Sequence, residues 1–330
     1  MRESSSPAVS VIIPAYNSVP WVAETLDSVL AQTFKDFEVI VVDDGSTDET
    51  PAVVAGYGSR VRYLRQEHGG QPSARNAGIR AACGAYIAFL DADDLWLPEK
   101  LQLQMDLFSR HPDLAWVYSD VIVFNEGSGR EAFKYSDVTK LYAGDILRPL
   151  LLFDFIASPT PVVKREVFGT VGYFDESPDL QNSEDWNMWL RIAAKYPVRF
   201  VERPLAKYRR HAASKSATAS FEHAFQSRWT IIENAVARDP ERLSDLREQA
   251  LAGACLGMVG PMVRRGDRRG ARRMLRRATS LVPWNFRILL CWLQALLPTA
   301  IVDWVPSVRK FRRWAFFRKD APSPDPRRRD

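Results

Sequence analysis

Three short runs of β-branched and aliphatic residues, each stopping abruptly at a polar cluster, constrain this chain more than any other feature of its 330 residues. Val9-Ser-Val-Ile-Ile13 ends at Pro14-Ala-Tyr-Asn17. Phe37-Glu-Val-Ile-Val-Val42 ends at Asp43-Asp44. Ala85-Tyr-Ile-Ala-Phe-Leu90 ends at Asp91-Ala-Asp-Asp94. Runs of this length and composition read as buried strands. Val61-Arg-Tyr-Leu64 reads as a fourth, shorter one. The intervening segments have helical apolar spacing over residues 21–32, 73–83 and 97–109. Alternation of strand and helix predicts an α/β fold with a mostly parallel central sheet flanked by helices. In such sheets ligands bind beyond the carboxyl ends of the strands, which is where the polar clusters fall.

Further along, residues 115–124 read as a strand and residues 125–180 as an irregular stretch. Residues 183–196 read as a helix with Ser183 at its N-cap. Residues 198–201 and 206–209 read as two short strands. From Phe221 onward the pattern is helical, and residues 247–282 suggest one helix pair of tetratricopeptide type.

The acidic strand ends suit one chemistry in particular. Asp91 and Asp93 are two residues apart, so continued strand geometry would put both carboxylates on one face. Mg²⁺ and Mn²⁺ take hard oxygen ligands, usually one or two carboxylates plus phosphate oxygens. A divalent cation there would neutralise the charge that develops on a leaving diphosphate. A transfer to a hydroxyl also needs a general base, for which one carboxylate suffices. Glu184 and Asp185 sit about 100° apart on the predicted helix, so only one of them can face a given hydroxyl. Both acids also suit a first helical turn, and Asp43 and Asp44 also suit a turn that caps the next helix.

These segments together resemble the inverting family 2 glycosyltransferases, which have the GT-A (Rossmann-like) fold. The resemblance rests on Val9-Ser-Val-Ile-Ile-Pro-Ala-Tyr-Asn17, Val41-Val-Asp-Asp-Gly-Ser-Thr-Asp48, Ser73-Ala-Arg-Asn-Ala-Gly78, Ala85–Asp94 and Glu184-Asp185-Trp186, in the family's order. It spans residues 9–215. It implies that Pro14, Ala15, Tyr16 and Asn17 line a nucleotide pocket. Asp44 would accept from a base imide, favouring uridine, with Asp43 beside it. Arg75 and Asn76 would lie near the sugar or diphosphate, and Asp91 and Ala92 would contribute to the same donor site. Asp93 is implied as principal metal ligand, assisted by Asp91 and by His211, with Arg209 reaching the phosphates. Asp185 takes the family's position for the general base. Glu184 and Trp186 would face the acceptor. The implied reaction moves a sugar from a nucleoside-diphosphate sugar to a hydroxyl on a saccharide or lipid-linked acceptor, using Mn²⁺ or Mg²⁺. Two alternatives fit the same sheet: a nucleotidyltransferase, or a non-catalytic sugar-nucleotide binder. The first would want a basic phosphate loop after the first strand, where Pro14–Ser18 carries no Lys or Arg.

Charge divides the chain. From Arg238 to the end there are 21 Lys and Arg against 9 Asp and Glu, whereas the preceding residues are net acidic. Ile288–Val302 is uncharged but shorter than the ~20 residues a spanning helix needs. Basic residues interleaved with aromatics follow in Arg309–Lys319. This pattern suits the surface of an anionic membrane, and no nucleic-acid recognition motif accompanies it. The three cysteines match no metal spacing and no disulfide framework, and no signal peptide is visible. The expected organisation is a disordered N-terminus (1–8), a GT-A domain (9–220), a helical region (221–285), an apolar and basic surface segment (286–319) and a disordered tail (320–330). The expected location is cytoplasmic, peripheral on the membrane.

Overall fold

The computed structural model describes residues 6–180, 183–214, 220–283 and 288–292. The expectations for the two chain ends, and nearly all of the 286–319 segment, lie outside these residues.

Strands β1 (Val9–Ala15), β2 (Phe37–Asp43), β3 (Arg62–Arg65) and β4 (Tyr86–Phe89) pair in parallel, in the order β3-β2-β1-β4. Helices α1 (Val22–Leu30), α2 (Thr50–Ala55) and α3 (Gln71–Ala81) make the crossovers. β1 is buried along its whole length, so alternate residues feed opposite cores. Ile12, Ile40, Val42 and Phe89 share one cluster with Ala74 and Ile79 of α3. Val11, Ile13, Val39 and Val41 share the other with Val22, Leu26 and Val29 of α1. Each fully buried aliphatic side chain contributes about 1.5–3 kcal/mol, so both faces hold β1 in register.

The far half of the sheet is mixed. After β5 (Leu95–Trp96) and α4 (Lys100–Arg110) come β6 (Trp116–Asn125), β7 (Glu131–Lys134), α5 (Leu147–Leu152), β8 (Val162–Lys164) and α6 (Val167–Val171). The stretch read as irregular therefore contains two strands and two short helices. β8 even lies inside the sheet, antiparallel to both β4 and β6. Its three residues are too few to show a period. Likewise the two strands expected over 198–209 are one, β9 (Val198–Arg210), parallel to β6. The pairing slips where Ser119 meets Val201 and Asp120 meets Pro204. This bulge accommodates a proline, which has no N–H for the ladder.

Helix α7 (Glu184–Ala193) begins beside this half of the sheet. Ser183 occupies its N-cap position but makes no side-chain capping bond. Beyond it, α8 (Phe221–Arg238) and α9 (Pro240–Leu243) lead to a hairpin of α10 (Arg247–Arg264) and α11 (Arg268–Leu281). Phe225, Cys255, Val259, Met262, Ala271, Leu275 and Ala278 form its own small core. Asp267 caps α11 by accepting from Gly270 N at 2.8 Å. Arg269, Arg272, Arg273 and Arg276 are exposed on the outer side.

One close approach matters for the site. A Cβ on Gly78 of α3 would stand 2.4 Å from Ile12 Cγ2 of β1. Helix and strand therefore touch backbone to side chain, and α3 is seated at a fixed height. Gly78→Val is expected to lower unfolding free energy by about 1–3 kcal/mol or more through overpacking. Urea denaturation checks this, and an unchanged midpoint would contradict the packing.

Candidate active site

The carboxyl ends of β1, β4 and β9, the turn after β2, and the start of α7 converge on one cavity of about 480 Å³. Its lining includes Pro14, Ala15, Tyr16, Asn17, Asp44, Arg75, Asp91, Ala92, Asp93, Glu184, Asp185 and His211. These are most of the residues the sequence singles out, gathered from segments as much as 197 positions apart in the chain (Pro14 to His211).

Arg75 organises the centre. Its side chain is 2% exposed. One guanidinium nitrogen donates to Asp91 Oδ1 at 2.8 Å and Ser158 Oγ at 2.9 Å, and the other to Glu184 Oε1 at 3.0 Å. Burial alone would lower its proton affinity; Asp91, Glu184 and Asp185 overcome that and raise it. Glu184, expected at the acceptor, is thus committed to Arg75. Asp91 is committed too, because Gln71 Nε2 donates to the same Oδ1 at 2.6 Å.

Asp93 has a different environment. Its Oδ2 lies 2.9 Å from His211 Nε2. Burial and the neighbouring Asp91 raise its proton affinity, and His211 partly offsets them. The His211 ring stacks on Trp21 at 4.0 Å between centroids, and its Nδ1 is buried without a partner among the described residues. Among the described residues no three His, Cys, Asp or Glu side chains converge as a complete metal cage. Asp93 and His211 nevertheless form a pair of suitable donors, and the excess acidity around Asp93 is what a hard cation would relieve. Asp91, expected to assist as a ligand, is held by a cation and an amide through Oδ1. Asp94 stands behind the cluster: Oδ1 accepts from Arg209 N at 2.8 Å, and burial first, then Asp93 and Asp91, push its carboxyl well up.

Asp44 is heavily bonded. Oδ1 accepts from Gln66 Nε2 and Gly69 N, and Oδ2 from Gly70 N. The His68 ring stands beside it, with Nδ1 3.0 Å from the Asp44 backbone carbonyl. Three donors fall one short of what a carboxylate can accept. Asn17 sits at φ 48°, a left-handed conformation that asparagine tolerates better than most residues. Its Oδ1 accepts from Thr47 N at 2.8 Å, tying the β1 end to the β2 turn. Tyr16 remains 43% exposed, with the His68 ring 4.3 Å from its own.

Four expected site residues do not reach the cavity. Asp43 is buried, accepting from Ser46 N and from the Tyr63 hydroxyl. Asn76 binds the Phe174 backbone and Glu176. Arg209 braces the acidic turn through Asp93 O and pairs with Glu24. Trp186 is 4% exposed and donates to Leu150 O, so it anchors α7 to α5 instead of facing an acceptor. Conversely, Trp21, His68, Tyr135, Asp154, Ser158 and Tyr208 line the cavity without any expectation from sequence. Of these only His68 had a local signal, the Gly69-Gly70 pair beside it that lets backbone amides approach Asp44.

Asp185 stands apart from all of these. Among the described residues its side chain accepts only from Trp186 N in its own helix turn, at 2.8 Å. Burial first, then Asp154 and Glu184, push its carboxyl up to about 8, against the pull of Arg75.

Residues 10–168 match the description Glycosyl transferase family 2. A Rickettsia prowazekii (strain Madrid E) protein named as an uncharacterized glycosyltransferase is 34% identical over 65% of this chain and 67% of its own length. The chain belongs to glycosyl transferase family 2. Membership sets aside the nucleotidyltransferase alternative. An Escherichia coli relative, named UDP-Glc:alpha-D-GlcNAc-diphosphoundecaprenol beta-1,3-glucosyltransferase, is 28% identical over 70% of this chain and 88% of its own. Among solved structures, a Pyrobaculum calidifontis mannosyltransferase in complex with GDP-Man and Mn2+ superposes with a TM-score of 0.57 at 19% identity, covering 95% of this chain and 85% of that one. The S. aureus TarS fragment in complex with UDP-GlcNAc superposes with a TM-score of 0.54 at 18% identity, covering 93% and 92%. Both likenesses support the GT-A-like α/β fold.

The environment of Asp185 has a consequence for stability. Its folded proton affinity, about 8, exceeds the ordinary 3.8, so the folded state holds this proton more tightly than the unfolded chain does. That stabilisation is complete below the ordinary value and is lost as pH rises through the folded one. Asp185→Asn is expected to melt increasingly above the wild type as pH rises from about 5 to about 8. Parallel melting curves across that range would contradict it.

Proposed function

We propose that this chain moves a sugar from a nucleoside-diphosphate sugar, UDP-linked, to a hydroxyl acceptor with inversion, in cell-surface polysaccharide or glycolipid synthesis. The single observation that carries this reading is Asp185. It is a half-buried carboxylate at the start of a helix, in one cavity with the Asp93–His211 pair, and among the described residues it accepts only from its own turn.

In this reading Asp93 and His211 would hold Mn²⁺ or Mg²⁺. The cation supplies neutralisation of the charge that builds on the leaving diphosphate. Pro14–Asn17 and the Tyr16–His68 pair form the nucleoside side. Arg75, Asp91 and Gln71 form a fixed wall beside the sugar. Asp185 takes the acceptor hydroxyl proton as its oxygen attacks C1 from the face opposite the diphosphate. A raised proton affinity makes the ionised Asp185 a stronger base than an exposed aspartate. The UDP preference and the lipid-linked acceptor class draw on the E. coli relative's name and on the UDP-GlcNAc complex. The cation draws on the Mn2+ complex of the mannosyltransferase.

We read residues 9–220 as the catalytic domain and 221–285 as a helical appendage. No helix among the described residues is long and apolar enough to cross a membrane. The exposed arginines of α11 suit an anionic lipid surface on the cytoplasmic face.

Two experiments test these readings. Asp185→Asn should lose at least about 10²-fold in sugar transfer, the lower end of what a general base contributes. Its Mn²⁺-dependent thermal stabilisation by UDP-glucose or UDP-N-acetylglucosamine should persist, and Asp93→Ala should lose that stabilisation. Undiminished turnover in Asp185→Asn would remove the base assignment. For the surface, the full chain should sediment with phosphatidylglycerol vesicles and not with phosphatidylcholine vesicles. Replacing Arg269, Arg272, Arg273 and Arg276 together by Glu should abolish that binding, and unaltered sedimentation would count against it.

A further inference from the structure

A second carboxylate shares the cavity with Asp185 and has no part in the chemistry derived above. Asp154, in the loop between α5 and β8, lines the cavity together with Tyr135 and Tyr208. Among the described residues its one hydrogen bond is long, from Ile156 N to Oδ1 at 3.4 Å. Asp185 is as thinly satisfied, with Trp186 N as its donor. Both are half-buried, and two carboxylates that share one cavity and lack donors disfavour each other's charge. Glu184 differs, since Arg75 satisfies it. Tyr135 lines the same cavity. Asp120 accepts from Ser136 N at 3.1 Å and Ser136 Oγ at 2.5 Å, which clamps the segment that carries Tyr135.

We propose that Asp154 is an acceptor-binding residue, which receives a hydrogen bond from a hydroxyl adjacent to the one that attacks. The acceptor end would therefore be a neutral saccharide or polyol presenting two neighbouring hydroxyls, and not a phosphate or an isolated alcohol. This inference rests on the assignment of Asp185 as base. In the step, the attacking O–H bond breaks toward Asp185 while the new C1–O bond forms. The C1–phosphate oxygen bond breaks, and the diphosphate leaves with its electron pair. Asp154 keeps its charge throughout and neither gives nor takes the proton. The rings of Tyr135 and Tyr208 provide apolar walls for a sugar face.

Asp154 acts on Asp185 as well as on the acceptor. The groups facing Asp185 are Asp154, Glu184, Arg75 and Tyr135; Arg228 of α8 faces Asp154. Removing the Asp154 charge should ease ionisation of Asp185, which moves the acid limb of activity to lower pH.

The test uses the full chain with Mn²⁺ and whichever of UDP-glucose and UDP-N-acetylglucosamine it hydrolyses. Methyl β-D-glucopyranoside and methanol serve as competing acceptor probes. The wild type should prefer the glycoside over methanol beyond their statistical ratio of hydroxyls. Asp154→Asn should lose about tenfold of that preference, the worth of one charge-assisted hydrogen bond, with hydrolysis retained and its acid limb shifted down. Asp154→Ser guards against a fold defect and should do the same without a lowered melting midpoint. A preference and acid limb unaltered in both variants would overturn the proposal, as would a wild type indifferent between the probes. Failure of the wild type to bind UDP or hydrolyse either donor would instead remove the underlying glycosyl-transfer reading.

Discussion

The site depends on one buried cation. Arg75 rises from α3 into a space sealed from water and meets Asp91 at the end of β4, Glu184 at the start of α7 and Ser158 before β8. Four pieces of chain, from both halves of the sheet, are thereby cross-linked through one guanidinium. An isolated charge in that position would be very costly, and breaking such a pair by deleting one partner typically costs 3–5 kcal/mol. The positions of the other charges follow from this. With Asp91 and Glu184 held by Arg75, Asp93 pairs with His211, and Asp185 keeps only the donor of its own turn among the described residues. Gly78 contributes indirectly, because the close seat of α3 on Ile12 fixes the height at which Arg75 enters.

The first half of the fold and most of the donor wall are legible in the sequence for a physical reason. Each parallel strand is buried on both faces, so its residues are continuously apolar and the run stops where the ligand region starts. The end of the run and the first polar residue mark the same place, as at Leu90–Asp91. Legibility fails where structure depends on long-range pairing. β8 has three residues and no period of its own; its neighbours β4 and β6 define it. The Glu202–Leu205 interruption reads as a break because a bulge and a proline look alike in one dimension. Roles were harder to read than positions. Trp186 and Asn76 lie within the family's motifs, yet both support the scaffold. Asp44 sits where expected but already accepts from three donors. Asp154, flanked by two phenylalanines, carries no motif, and only the folded loop brings it beside Asp185.

The helical region is bound to the rest by specific polar contacts as well as by packing. Arg242 forks onto Asp145, Arg148 onto Asp245, and Arg238 reaches Asn187. Within it, Arg277 covers Trp229 and Phe225, and Arg265 covers Phe221. Arg265 and Arg277 are themselves exposed, so these ring contacts lie at the surface.

Arg228 draws these parts together. It lies on α8, over the Trp186 ring at 6.0 Å, and its charge is felt by Asp154. Residues 10–168 match the family, yet the cavity also takes Glu184, Asp185, Tyr208 and His211 from further along the chain. Neither stretch encloses the cavity by itself, so a change in either one is felt at the same wall.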